Sequence, residues 1–143
     1  MQIITILRRK GTEVATVGPD ASVREALALL HEHRCGALVV SSDGQRIEGI
    51  VSERDIVRAL RTSESALLAM PVRHLMSAEV HTCGPTDSID AVMRTMTGER
   101  IRHVPVVENG FLAGIVSIGD VVKSRIDALE HETEQLRSYV TQG

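Results

Sequence analysis

The stretch Gly49-Ile50-Val51-Ser52-Glu53-Arg54-Asp55 returns as Gly114-Ile115-Val116-Ser117-Ile118-Gly119-Asp120, so the phrase Gly-Ile-Val-Ser-x-x-Asp is used twice. Each copy follows an apolar run and a turn. Such a recurrence points to an internal duplication, and the surrounding sequence tests it. Upstream, "TVGPDASVREALALL" from Thr16 lies over "TCGPTDSIDAVMRTM" from Thr82 at an offset of 82 − 16 = 66. Thr16, Gly18, Pro19 and Ser22 meet Thr82, Gly84, Pro85 and Ser88. Val23, Ala26, Leu27 and Leu30 meet Ile89, Val92, Met93 and Met96. Deleting one residue in the later turn makes the offset 114 − 49 = 65 and aligns the quoted phrases.

Both copies predict the same local plan. A short strand (14–17; 80–83) ends at Gly-Pro, a turn signal. Ser22 and Ser88 then stand before helical spacing of apolar residues. In the first copy Glu25, three residues after Ser22, predicts a capping box; the second lacks that glutamate. An apolar run follows, "CGALVV" or "IRHVPVV". Asp43-Gly44 and Asn109-Gly110 predict hairpin turns. A second strand ends in Gly-Ile-Val, and a last helix starts at Ser52 or Ser117. The order is β-α-β-β-α twice, an α/β (α+β) chain. The expected divisions are a helical lead-in over 1–12, repeat one over 13–62, and a linker with a short helix over 63–78. Repeat two follows over 79–126, and a helical tail over 127–143. One unit is too small to bury a good core alone. Two units packed sheet to sheet about a pseudo-twofold axis solve that problem and leave two related grooves.

Composition narrows the function classes. Of 143 residues, 43% are hydrophobic and 24% charged, enough for a core and against wholesale disorder. The net charge of −3 disfavours nucleic acid as a partner. Phe111 and Tyr139 are the only aromatics, so a base-stacking single-strand binder would lack its platforms. The first residues do not have the basic-then-apolar order of a secretory signal, and no apolar run reaches spanning length. Cys35 and Cys83 make no disulfide framework. The expectation is a soluble, cytoplasmic protein without a membrane partner.

Together, "TVGPDASVREAL", "GALVV" and "GIVSERDIVRAL", with "TCGPTDSIDAV", "RHVPVVENG" and "GIVSIGDVV", resemble the CBS domain, named after cystathionine β-synthase. The arrangement resembles its tandem form, the Bateman module, in a stand-alone bacterial signal-transduction protein. The resemblance covers about 14–60 and 80–124. It implies a regulatory module that binds an adenosine-containing ligand such as AMP, ADP, ATP, NAD or S-adenosylmethionine, with no catalytic cofactor. It puts Asp55 and Asp120 at a ribose diol, Ser52 and Ser117 nearer phosphate, and Thr16 and Thr82 on the adenine side.

A helix N-terminus offers free N–H groups and a positive dipole end, suited to phosphate. Ser-x-x-Asp is also an ordinary helix cap, and cap and ligand site can coexist. Arg102 has a forked donor set suited to phosphate, and His103 can donate to phosphate or a carbonyl. They replace Gly36 and Ala37 of the first copy. Arg54 is placed to reach a phosphate near the pseudo-axis; Gly119, its counterpart, would let a ligand approach the backbone. With so few aromatics, adenine must lie between aliphatic faces, for which Val17, Leu38, Val104 and Pro105 are candidates; Ala37 is a further ligand-binding candidate. The competing readings are solvated arginines and strand residues that are simply core.

Other functions have less in the sequence. No Gly-x-Ser-x-Gly, phosphate-binding loop or His-Glu-x-x-His is present, so an enzyme is not expected. His31 and Cys35, four apart, share a helical face, but His33 does not, and a zinc site wants four ligands. Cys83 would join only if the fold brought it near. The tail places Val122, Ile126, Leu129, Thr133, Leu136 and Val140 at steps of four and three, a heptad-type seam. That seam either covers its own domain or forms a homodimer contact. The runner-up function is therefore an oligomerising scaffold with vestigial grooves. With no effector domain in the sequence, output through assembly or through an effector protein is expected.

Overall fold

The computed structural model describes residues 1–142. Helix α1 (Ile3–Lys10) leads into strand β1 (Thr16–Val17), helix α2 (Val23–His33), strands β2 (Ala37–Val40) and β3 (Gly49–Ser52), and helix α3 (Glu53–Ala59). Two 3-10 turns (Leu67–Ala69; Val72–His74) connect to helix α4 (Ile89–Glu99), strands β4 (His103–Glu108) and β5 (Phe111–Ser117), and helix α5 (Ile118–Gln142). In the first copy β1 runs parallel to β2, which pairs antiparallel with β3. In the second, β4 and β5 pair antiparallel.

Four local expectations need correction. The strand expected over 80–83 is reduced to one parallel bridge, Cys83 to Val106. Cys83 N–H donates to Pro105 O at 3.0 Å and Val107 N–H to Cys83 O at 2.8 Å, and the β4–β5 register slips at the same place. The strand expected over 14–17 keeps only Thr16 and Val17, because a Gly-Pro turn follows at once. The Ser22 cap is one-sided: its Oγ accepts from Glu25 N–H at 3.1 Å, while Glu25 points into solvent. Asn109-Gly110 is a two-residue hairpin turn, with φ of 53° and 82° matching the twist of its strands. Asp43-Gly44 is not. There the Asp43 carboxylate accepts from the N–H groups of Gln45 and Arg46, each at 2.8 Å, and builds a wider loop between Val40 and Gly49.

Each copy has its own core. The first gathers Val17, Val23, Ala26, Leu30, Leu38, Val40, Val51 and Ile56. The second gathers Cys83, Ile89, Val92, Met96, Val104, Val106, Val116 and Val121. Both are completed by a segment that precedes or follows the duplicated phrases. Leu67 and Val72 enter the first core, and Ile3, Ile6 and Leu7 enter the second. These two segments are equivalent at an offset of 72 − 3 = 69. Val72 N–H donates to Ala21 O, Arg73 N–H to Pro19 O, and Val23 N–H to Met70 O. Ile3 N–H donates to Asp87 O, Ile4 N–H to Pro85 O, and Ile89 N–H to Met1 O. The acceptors and donors correspond one for one.

Side chains alternate across a strand, so β2 and β4 have second faces. Leu38 and Val40, and Val104 and Val106, point into the cores. Ala37 and Val39 are buried but belong to neither core. The His103 ring packs where a Cβ at Gly36 would lie, 3.2 Å away, so β4 of one copy meets the start of β2 of the other. Leu112 N–H donates to Gln45 O at 2.7 Å and ties the copies at another point.

Helix α5 is continuous from the last capping motif into the tail. Val121 and Ser124 are buried against the second copy. Farther out, Leu129 (50% exposed), Leu136 (66%) and Val140 (74%) lie open to solvent, so the seam does not cover its own domain. Among the described residues no helix is long and apolar enough to cross a membrane.

Candidate functional site

Both Ser-x-x-Asp motifs sit where a strand turns into a helix, and both form reciprocal caps. Asp55 N–H donates to Ser52 Oγ at 3.3 Å, while Ser52 N–H and Oγ donate to Asp55 Oδ2 at 2.8 and 3.0 Å. Asp120 N–H donates to Ser117 Oγ at 3.2 Å, and Ser117 N–H to Asp120 Oδ2 at 2.9 Å. The strands feeding them are held alike: Glu53 N–H donates to Gly36 O at 3.0 Å and Ile118 N–H to Arg102 O at 2.8 Å. In both carboxylates the hydrogen bonds fall on Oδ2, and among the described residues Oδ1 accepts none. A carboxylate fixed in this way is preorganised to accept hydroxyl donors.

The two sites differ in charge. Lys10, at the end of α1, donates to Asp120 Oδ2 at 2.8 Å and to Ile115 O at 2.9 Å. Partial burial alone would raise the Asp120 carboxyl. The Lys10 hydrogen bond, the Ser117 N–H and the Lys10 charge outweigh it and hold the group below its ordinary value. His103 pairs with Ser117 in the β4–β5 register. Its pKa is lowered, first by burial and then by the Lys10 charge, against the opposing pull of Asp120 and Glu53. Lys10, His103, Asp120 and Glu53 thus form one constellation, with Glu53 contributed by the first copy. Position 10 + 69 = 79 is the counterpart of Lys10, and Glu79 stands there. Among the described residues, no lysine or arginine pairs with Asp55.

An open cleft of about 460 Å³ runs between the copies, with Ile50 and Ser77 on one side and Val80, His81, Ile101 and His103 on the other. A second, of about 630 Å³, opens beside Arg34, Cys35, Gly36 and Glu53. The remaining candidates are dispersed around these features. Arg54, Arg102, Thr82 and Gly119 are exposed, and Thr16 is half-buried in β1. Ala37 and Pro105 lie on the inter-copy faces of their strands. Val17, Leu38 and Val104 belong to the cores, with Leu38 and Val104 almost wholly enclosed. Lys10 and Glu53 were not among the sequence candidates: Lys10 lies outside the duplicated phrases, and Glu53 fills a variable position of its phrase, opposite Ile118.

The metal alternative finds no geometry: among the described residues, no three His, Cys, Asp or Glu side chains gather as a site. Cys83 lies in the second core, and burial, helped by the Asp87 charge, pushes its thiol up to about 11. Cys35 packs against the first core.

Residues 6–62 and 72–127 each match the CBS domain family. A crystal structure of a CBS-domain containing protein from Agrobacterium tumefaciens is 48% identical, with a TM-score of 0.84 over 87% of this chain and 99% of that one. A CBS domain protein from Pyrobaculum aerophilum, complexed with AMP, is 31% identical, with a TM-score of 0.79 over 93% of this chain and 99% of that one. A mitochondrial CBS domain-containing protein of Arabidopsis thaliana is 34% identical over 87% of this chain, which spans 62% of the plant protein's length.

Proposed function

This chain belongs to the CBS-domain family as a tandem pair, and on that footing we propose that it is a regulatory module binding an adenosine-containing ligand: AMP, ADP, ATP or NAD. The observation that carries this reading is the pair of capped aspartates at equivalent strand-to-helix turns, each with Oδ2 held by its cap and Oδ1 without a hydrogen bond among the described residues. Asp120 and Asp55 accept the ribose diol. Ser117, Arg102 and His103 in one groove, and Ser52 and Arg54 in the other, serve the phosphate side. Thr82 and Thr16 lie toward adenine, with Pro105 and Ala37 on the inter-copy walls. The AMP complex of the Pyrobaculum relative supports the ligand class. The module passes its state on through a homodimer or an effector protein in the cytoplasm.

Calorimetry with AMP, ATP and NAD, joined to mass spectrometry of any ligand released on denaturation, tests the reading. At least one nucleotide should give binding heat. Asp120→Ala should weaken binding in its groove by about 1.5–3 kcal/mol, the range for hydrogen bonds to a charged group. No binding at millimolar concentration and no copurifying ligand would overturn the reading. A second reading, an oligomerising scaffold with vestigial grooves, is favoured by the uncovered seam of α5; it predicts assembly that is indifferent to every nucleotide.

A further inference from the structure

Lys10 has no partner in the duplicated pattern, yet it makes the shortest side-chain contact to either motif aspartate, 2.8 Å to Asp120 Oδ2. Its second bond, 2.9 Å to Ile115 O, holds the ammonium over the last residues of β5. About a third of the Lys10 side chain and a quarter of the Asp120 side chain remain accessible, so a ligand can reach the pair. His103 feels the charges of Lys10, Asp120, Glu53 and Arg102, with Glu53 the opposing charge from the first copy.

Consider a neutral diol arriving at Asp120. It competes with the ammonium for the carboxylate, and any displacement breaks the 2.8 Å ion pair with nothing on the ligand to replace it. A ligand carrying an anion changes that balance. The diol takes the carboxylate, the ammonium turns to the incoming phosphate, and both charges stay paired throughout. We propose that Lys10 is a specificity-determining residue of the Asp120 groove: it ties the aspartate in the free protein and transfers to the ligand's phosphate on binding, so that this groove selects phosphorylated nucleosides over nucleosides. The Asp55 groove, with Glu79 at the equivalent position, lacks this preference. The inference rests on the adenosine-ligand reading above and adds a residue and a direction of selectivity to it.

The test is calorimetry of AMP and of adenosine against the full chain, Lys10→Met and Lys10→Arg, each repeated with Asp55→Ala so that the heat reports the Asp120 groove. Methionine keeps the apolar stem, and thermal melts report folding. Lys10→Met should weaken AMP by about ten- to a hundredfold, as loss of one charge-assisted bond does, while adenosine binds unchanged or tighter. Lys10→Arg should keep most of the preference for AMP. Equal losses for both ligands would overturn the proposal, because Lys10 would then only position Asp120. Tighter binding of both would overturn it too, leaving Lys10 as a simple block, and so would no change in either. If Lys10→Met does not fold, Lys10→Gln takes its place and is read in the same way. If the unaltered chain binds neither AMP nor adenosine, the ligand reading itself falls and this inference with it. Binding by the unaltered chain without a loss confined to AMP removes the inference alone.

Discussion

His103 stands where the two copies touch, and its protonation should register in stability. Burial and the Lys10 charge hold its pKa below the ordinary histidine value. The unfolded chain therefore takes up a proton at higher pH than the folded one does. Its contribution is present above the unfolded pKa and is lost as pH falls through that value toward the folded one. Thermal melts from about pH 7.5 to 5.5 should show a smaller loss for His103→Gln than for the unaltered protein. A parallel decline in the two would mean that His103 adds nothing to the pH dependence. The same neutral ring can gain a proton when a phosphate is bound beside it, so AMP binding near neutral pH should be accompanied by proton uptake, read as a buffer-dependent binding heat.

At the scale of elements, the close approach of each lead-in segment explains why the repeated phrase starts with glycine. A Cβ at Gly49 would lie 2.6 Å from Met76 Sδ and 2.9 Å from the backbone oxygen of Ser77. A Cβ at Gly114 would have the Leu7 side chain as its nearest neighbour, at 2.8 Å. A side-chain tip can move more readily than paired backbone. Gly49→Ala should therefore cost roughly 1–3 kcal/mol, as overpacking does, and Gly114→Ala less, measured by denaturant titration. Equal costs would show that both segments yield alike. The sequence made α2, α3 and α4, the paired strands, the Asn109-Gly110 turn and both Ser-x-x-Asp caps readable, because these have duplicated apolar and polar residues; the Asp43-Gly44 loop was misread because its carboxylate binds the N–H groups that follow it. The equivalence of residues 1–7 with 70–76 was harder to see. It survives only as an apolar rhythm (Met1, Ile3, Ile6, Leu7 against Met70, Val72, Leu75, Met76) at an offset that differs from 66. Lys10 was harder still: with Arg8 and Arg9 in the last turn of a helix, it reads as ordinary complement to the helix dipole. Only the packing of α1 against β5 and α5 reveals what its ammonium reaches.

For the whole molecule, the surface left open is as telling as the cores. The α5 seam is exposed from Ile126 through Val140, and Val57 and Leu60 of the first copy's last helix region are exposed as well. A homodimer would cover such faces, and the prediction separates the tail from the rest. Leu129→Asp with Leu136→Asp should leave monomer stability unchanged, since neither side chain enters a core, and should weaken self-association in sedimentation velocity. A dimer unaffected by both charges would put its contact elsewhere, on the α3 side. The tail also has a mechanical consequence. Asp120 lies in the first turn of α5, and the helix continues unbroken to Gln142. With a rise of 1.5 Å per residue, about 33 Å of rod extends from the carboxylate to the tip. Lys10 at Asp120 and Arg9 at Asp127, 2.9 Å apart in the second pair, grip the rod near its root. If ligand exchange at the first of these contacts tilts the root by ~10°, the tip sweeps ~6 Å, comparable to one helical turn. With the proposed ligand at Asp120, the rod becomes a lever arm whose short end is the capped carboxylate.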